Sequence, residues 1–124
     1  MIKGLGTDMI EVERLREKLS KDSGFREWVF SPAEIEYCEA KANKFEHYAA
    51  RFAAKEAFLK AMGTGWTGAT ALNEIEVRHD ERGQPAVGLL GKTGETLSAE
   101  GIQRIWISIS HLKAIACAVV LIET

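Results

Sequence analysis

Cysteine, proline and surplus positive charge are all scarce in this 124-residue chain, and each shortage excludes something. Cys38 and Cys117 form neither a CxxC pair nor a Cys/His set with metal-ligand spacing, so no disulfide framework or thiolate metal site is expected. They read as reduced core thiols of a reducing compartment. Lysine and arginine number 16 against 18 acidic residues, a net charge of -2. A general nucleic-acid binder relies on excess positive charge against phosphate, and this balance argues against one. No apolar run approaches the roughly 20 residues of a membrane span. The N-terminus lacks the basic-then-apolar layout of a signal peptide. The expectation is a soluble, cytoplasmic protein with no membrane and no nucleic-acid partner.

What is present is the composition of an ordinary globular protein, 46% hydrophobic and 27% charged. Neither repeat nor linker interrupts it, so residues 1–124 are expected to form a single domain. Residues 2–6 (IKGLG) read as a strand, followed by helical spacing in Val12, Leu15 and Leu19. In SPAE, Ser31 supplies an N-cap, Pro32 the first helical position and Glu34 a capping box, starting a helix that runs to about Ala42. The most helical segment is 45–62, stopping at Gly63, and the glycine-rich loop GTGWTGA (63–69) follows it. Residues 74–79 and 86–90 look like strands joined through Arg82-Gly83-Gln84-Pro85, with a short helix at 92–100.

Two further strands close the chain. In 104–110, Ile105, Ile107 and Ile109 point one way and Trp106, Ser108 and Ser110 the other. Residues 114–122 are apolar at both parities, as in a strand buried on both faces. Short connections favour antiparallel pairing. The predicted class is α+β, a mostly antiparallel sheet packed against a long central helix.

That helix carries a carboxylate in an unexpected place. With Phe52 at zero on a helical wheel, Phe45 falls at about 20°, Leu59 at about 340°, Tyr48 at about 320° and Ala49 at about 60°. Glu56 lies at about 40°, inside this apolar stripe, with Lys60 at its margin and Arg51 and Lys55 on the opposite margin. A lone carboxylate there is costly unless something positive compensates it. Either Lys60 does so as an i,i+4 partner, or Glu56 binds a metal or substrate. Asp8, just after the first strand in GLGTDMIE, is either a turn or N-cap residue or a second carboxylate aimed into a cleft. Two converging carboxylates suit Mg²⁺, which keeps several waters and is commonly completed by substrate phosphates. Gly63, Gly65 and Gly68 would let backbone amides approach phosphate, although Gly63 alone also fits a helix C-cap.

GTDMIEVER (6–14), FSPAE (30–34), RFAAKEAFLKAMGTG (51–65) and ISISH (107–111) together resemble the holo-acyl-carrier-protein synthases, the small 4′-phosphopantetheinyl transferases of bacterial lipid synthesis. The likeness extends over nearly the whole chain, and its RFAAKEAF block is the most specific part. It implies transfer of the phosphopantetheine arm from coenzyme A to a serine of apo-acyl carrier protein, with release of adenosine 3′,5′-bisphosphate. It further implies Mg²⁺ on Asp8 and Glu56, Lys60 at the coenzyme A phosphates and Arg51 near the nucleotide end. Gly63 and Gly65 match the loop past the helix, Gly83-Gln84-Pro85 a turn beside the adenine, and Ser108 is taken with the coenzyme A contacts. Glu56 and Lys60 are the catalytic candidates. The serine proton goes to Glu56 or to an ion-bound water. Homotrimers with sites at subunit boundaries are implied as well.

The chain departs from the pattern in having Trp106 where some members have His, and Ile115 where some have an aromatic. His111 has the opposite parity to Trp106 and reads as structural, while His47 and His79 read as solvated. Acyl carrier proteins are acidic, so a basic docking face is expected. In 14–26, Arg14, Arg16, Lys18, Lys21 and Arg26 oppose only Glu17 and Asp22. That run fits either a solvated helix face or carrier docking, and the resemblance favours docking. Two rivals remain: a carrier- or coenzyme-A-binding module without activity, and an RNA-binding domain. The latter lacks a basic surface and has only Trp106 as an exposed sheet aromatic.

Overall fold

The computed structural model describes residues 1–66 and 70–124. Five strands and five helices follow one another as β1 (Ile2–Glu11), α1 (Val12–Ser20), α2 (Phe25–Val29), α3 (Pro32–Glu39), α4 (Lys44–Met62), β2 (Ile75–His79), β3 (Pro85–Leu89), α5 (Gly91–Ser98), β4 (Arg104–His111) and β5 (Ile115–Glu123). A 3₁₀ turn, Leu72–Glu74, precedes β2. The strands form an antiparallel sheet of order β1-β5-β4 and a separate antiparallel β2-β3 hairpin. The α+β class is as the sequence predicts.

Helix α4 is the centre of the core. Its buried face spans Tyr48, Phe52 and Leu59, and many alanines let neighbouring backbones come close. Gly63 ends it in the left-handed conformation (φ 76°), its N–H reaching the carbonyls of Leu59 and Lys60. The inner face of the three-stranded sheet packs on α4 through Ile10, Ala116, Ala118, Val120 and Ile122, with Ile105, Ile107 and Ile109 partly buried beside them.

Several boundaries differ from the sequence reading. β1 continues to Glu11, so Asp8 lies within the strand rather than after it. Helix α2 was not expected, and α3 ends at Glu39 instead of near Ala42. β5 is buried on one face only: Ile115 and Val119 are exposed, and Cys117 is only partly covered. Both cysteines are free, and burial pushes the Cys38 thiol up to about 12.

Candidate active site

The cleft begins with two glycines. Gly4 and Gly6 face α4 so closely that a Cβ on them would stand 1.8 Å from the Ala61 carbonyl oxygen and 2.0 Å from that of Ala57. With no side chain in between, β1 runs against the helix backbone. Alternation then turns Asp8 toward the same helix, where Glu56 and Lys60 present themselves one turn apart. The strand and the apolar stripe thus converge on one place.

Asp8, Glu56, Arg14, Lys18, Phe25, Phe52 and Trp66 line a cleft of about 310 Å³ together with Met9 and Ile10. Lys60 is not the i,i+4 partner of Glu56. Its ammonium donates to Asp8 Oδ1 at 3.1 Å and to the Thr7 carbonyl at 3.0 Å. Glu56 instead accepts the Trp66 indole N–H on both oxygens, at 2.8 and 3.0 Å. Burial pushes the Glu56 carboxyl above its ordinary range, and the Asp8 charge adds to this against the indole N–H and Lys60. Asp8 and Glu56 bring two carboxylates to a cleft that Arg14 and Lys18 also line, and of the two Lys60 bonds Asp8 alone. Among the described residues no three of His, Cys, Asp and Glu gather as a metal-ligand group. The pair therefore suits a hard cation that keeps water and takes phosphate oxygens, and not one held in an all-protein cage.

Beside Glu56, Lys55 is wholly buried, a correction to its place at the margin of the wheel. Its ammonium donates to Glu34 Oε1 at 2.7 Å, to the Leu72 carbonyl at 2.8 Å and to the Ile75 carbonyl. Burial pushes this ammonium down, opposed by the Glu34 charge. Glu34 also completes the expected capping box with Ser31 and accepts the Val77 N–H at 2.9 Å. One carboxylate thus ties α3, α4 and β2 together.

Farther along α4, Arg51 is 2% exposed and lies over the Tyr37 ring at 4.2 Å, 3.3 Å from His79 Nδ1. Its Nε has no hydrogen-bond partner among the described residues. His79 pairs across the hairpin with Pro85, and the Gln84 carbonyl accepts the Asp80 N–H at 2.9 Å. Arg51 and the Gln84-Pro85 turn are therefore neighbours. His47 and His79 are not simply solvated: burial pushes both imidazoles down, and His79 stacks on Tyr37 at 5.2 Å. His111 has the expected inward parity, 3.0 Å from Glu46.

Gly63 and Gly65 follow α4 with positive φ, while Gly68 lies outside the described residues. Ser108 is exposed on the outer sheet face, opposite Val119, and this chain does not bring it to the Asp8–Glu56 cleft. Of the basic run, Arg14 and Lys18 reach the cleft. Arg16 turns away to Glu13 (3.0 Å) and Phe45, and Arg26 pairs with Glu27 at 2.8 Å. Lys21 lies apart from Asp8 and Glu56, in a second depression with Arg26. The sequence reading missed Trp66, whose only signal was its place in the glycine-rich loop.

A fold of this kind has counterparts. The model of the 4′-phosphopantetheinyl transferase superfamily (ACPS) matches residues 4–120, and the chain belongs to that family. It is 48% identical over 124 residues to the holo-[acyl-carrier-protein] synthase of Syntrophus aciditrophicus, covering 99% of this chain and 97% of the relative. The crystal structure of the holo-[acyl-carrier-protein] synthase from Neisseria meningitidis matches with a TM-score of 0.91 at 33% identity, covering all of both chains. That of the Bacillus anthracis synthase in complex with CoA (3′,5′-ADP) matches at 0.82 and 34% identity, over 100% of this chain and 98% of the other.

Proposed function

We propose that this chain is a holo-[acyl-carrier-protein] synthase that moves 4′-phosphopantetheine from coenzyme A to a serine of apo-acyl carrier protein. The observation that carries the reading is the meeting of Asp8 and Glu56 in one cleft beside Lys60. The serine oxygen forms a bond to the phosphorus that bears the pantetheine arm. The bond from that phosphorus to the bridging oxygen breaks, and adenosine 3′,5′-bisphosphate leaves. Such transfers depend on in-line positioning and on neutralising charge on phosphoryl oxygens.

Asp8 and Glu56 would hold the Mg²⁺, which when bound supplies Lewis-acid polarisation of the pyrophosphate. Lys60, exposed beside Asp8, neutralises charge on the leaving phosphate. Glu56 is the group of this chain placed to take up the serine proton. The Gly63 N–H is taken by the Leu59 and Lys60 carbonyls, so Gly65 is the glycine whose backbone would approach phosphate oxygens. At the nucleotide end, the Arg51 guanidinium with its unpartnered Nε suits an anionic phosphate, and the adjoining Gln84-Pro85 turn suits the adenine. Arg14 and Lys18 at the rim attract the acidic carrier, with Arg16, Lys21 and Arg26 adding to the field.

The active form we infer is a homotrimer. Leu5, Met9, Trp106, Ile115 and Val119 lie exposed on the outer face of the β1-β5-β4 sheet, an apolar surface that a second copy would cover. Ser108 shares that face, so it would serve a site at a subunit boundary. The place of action is the cytoplasm and the pathway is fatty acid synthesis, with residues 1–124 acting as one transferase domain. No helix of the described residues is long and apolar enough to cross a membrane. The test is mass spectrometry of an apo-acyl carrier protein incubated with the chain, coenzyme A and Mg²⁺. A mass gain of one phosphopantetheine, abolished by chelator and by Glu56→Gln, is expected. An unmodified carrier in the complete mixture would make the chain a binding module.

A further inference from the structure

Trp66 meets the carboxylate of Glu56 directly, yet the transfer reaction as described leaves it without a task. It follows Gly65 in the loop that leaves α4, and its ring is 51% exposed. The indole Nε1–H is shared between Oε1 at 2.8 Å and Oε2 at 3.0 Å. A donor placed between both oxygens occupies the chelating edge of the carboxylate, the lone-pair region that a hard cation also takes. Trp66 is not held by this bond alone. Its ring leans on Trp28 at 5.1 Å and on Phe52 at 6.4 Å between centroids.

Among the described residues no charged group hydrogen-bonds Glu56, although Arg14 and Lys18 also line the cleft. Lys60 is engaged by Asp8 and the Thr7 carbonyl, and Asp8 itself is of like charge. The indole is thus the hydrogen-bond donor that satisfies Glu56 while no cation is bound. The same donor must give way for the chelating edge to become available.

We propose that Trp66 is a positioning residue that holds the Glu56 carboxylate in the cleft and is exchanged for the divalent cation when the cation enters. The inference rests on the assignment of that cation to Asp8 and Glu56. It has a thermodynamic consequence: the ion binds only the fraction of molecules in which the indole has released the edge, so the apparent affinity is weaker than the intrinsic one. Trp66→Phe keeps an aromatic ring against Trp28 and Phe52 while removing the N–H. Its affinity for Mg²⁺ is therefore expected to rise, by about threefold to tenfold.

The experiment follows the ¹⁵N-labelled full chain by NMR during titration with Mg²⁺ alone. The Trp66 indole ¹H–¹⁵N cross-peak is assigned in the unsubstituted chain through its correlations to the Trp66 backbone. This reading in the unsubstituted chain holds whatever the variant does to folding. The expected result is that the Trp66 cross-peak moves with the same saturation curve as the backbone amides of Asp8 and Glu56, and that Trp66→Phe saturates at lower Mg²⁺. Saturable binding that Glu56→Gln abolishes, with the Trp66 cross-peak unmoved or with Trp66→Phe binding no tighter, would overturn the exchange and leave the ligand assignment standing. Absence of saturable binding, or equal binding by Glu56→Gln, would overturn both.

Discussion

Gly6 of β1 stands against Ala57 of α4 with no space for a side chain: a Cβ at position 6 would lie 2.0 Å from the Ala57 carbonyl oxygen and 2.7 Å from the Ala61 amide nitrogen. This approach decides where Asp8 lands. Two residues farther on, and on the same face of the strand, its carboxylate comes within 3.1 Å of the Lys60 ammonium, near enough to Glu56 for its charge to help push the Glu56 carboxyl up. A packing feature of the core thereby sets the geometry of the cleft.

Gly6→Ala is expected to destabilise the fold by about 3 kcal/mol or more, because the atoms in the way are backbone and cannot rotate aside. Molecules that do fold would carry a displaced Asp8, and misplacement by about 1 Å can cost on the order of 10²-fold in rate. Urea denaturation and kcat on the purified variant check both parts.

The Lys55–Glu34 pair makes a second, separable prediction. Lys55→Met leaves a buried carboxylate without its cation and is expected to cost about 3–5 kcal/mol. Combining Lys55→Met with Glu34→Leu removes both charges, so the double variant is expected to lose less than the two single losses added together. Chemical denaturation of the four proteins measures the coupling.

Glu56 gives a pH signature. Burial and the Asp8 charge hold its carboxyl above the ordinary range, so the folded chain binds that proton more tightly than the unfolded chain does. The stabilising contribution is therefore fully present below the unfolded pKa of about 4.5 and is lost as pH rises through the higher folded value. Glu56→Gln removes this dependence. In chelator, its Tm is expected to exceed that of the unsubstituted chain at neutral pH, with the difference shrinking as the pH falls through the raised folded value and gone below about 4.5.

Arg14 lines the rim of the cleft without an ion-pair partner among the described residues. Arg14→Glu is expected to raise the KM for the acyl carrier protein by about tenfold while leaving the KM for coenzyme A unchanged. An unaltered carrier KM would move the docking face elsewhere.

Much of the architecture was legible because its signals are local. The capping box at Ser31–Glu34 and the glycine stop at Gly63 act over a few residues, and both appear as expected. The strand holding Asp8 was read too short, since aspartate disfavours strands and the alternation of Leu5, Thr7 and Met9 carries one polar member. Lys55 looked marginal because what compensates its charge, Glu34 and the carbonyls of Leu72 and Ile75, is far away in sequence. A helical wheel registers position on a helix, not the partner that makes a buried charge tolerable. The apolar parity of β5 suggested burial on both faces, whereas one chain covers a single face. For the cleft, the Glu56 anomaly was visible in the stripe. The bond between Lys60 and Asp8 required the close approach of β1 to become apparent.

The most direct measurement is a double-mutant cycle on divalent-ion binding, by calorimetry in the presence of coenzyme A, across the unsubstituted chain, Asp8→Asn, Glu56→Gln and the double variant. If the two carboxylates share one ion, each single substitution abolishes most of the binding and the double loses little more. Independent, additive losses, or ion binding that survives either substitution undiminished, would contradict the account.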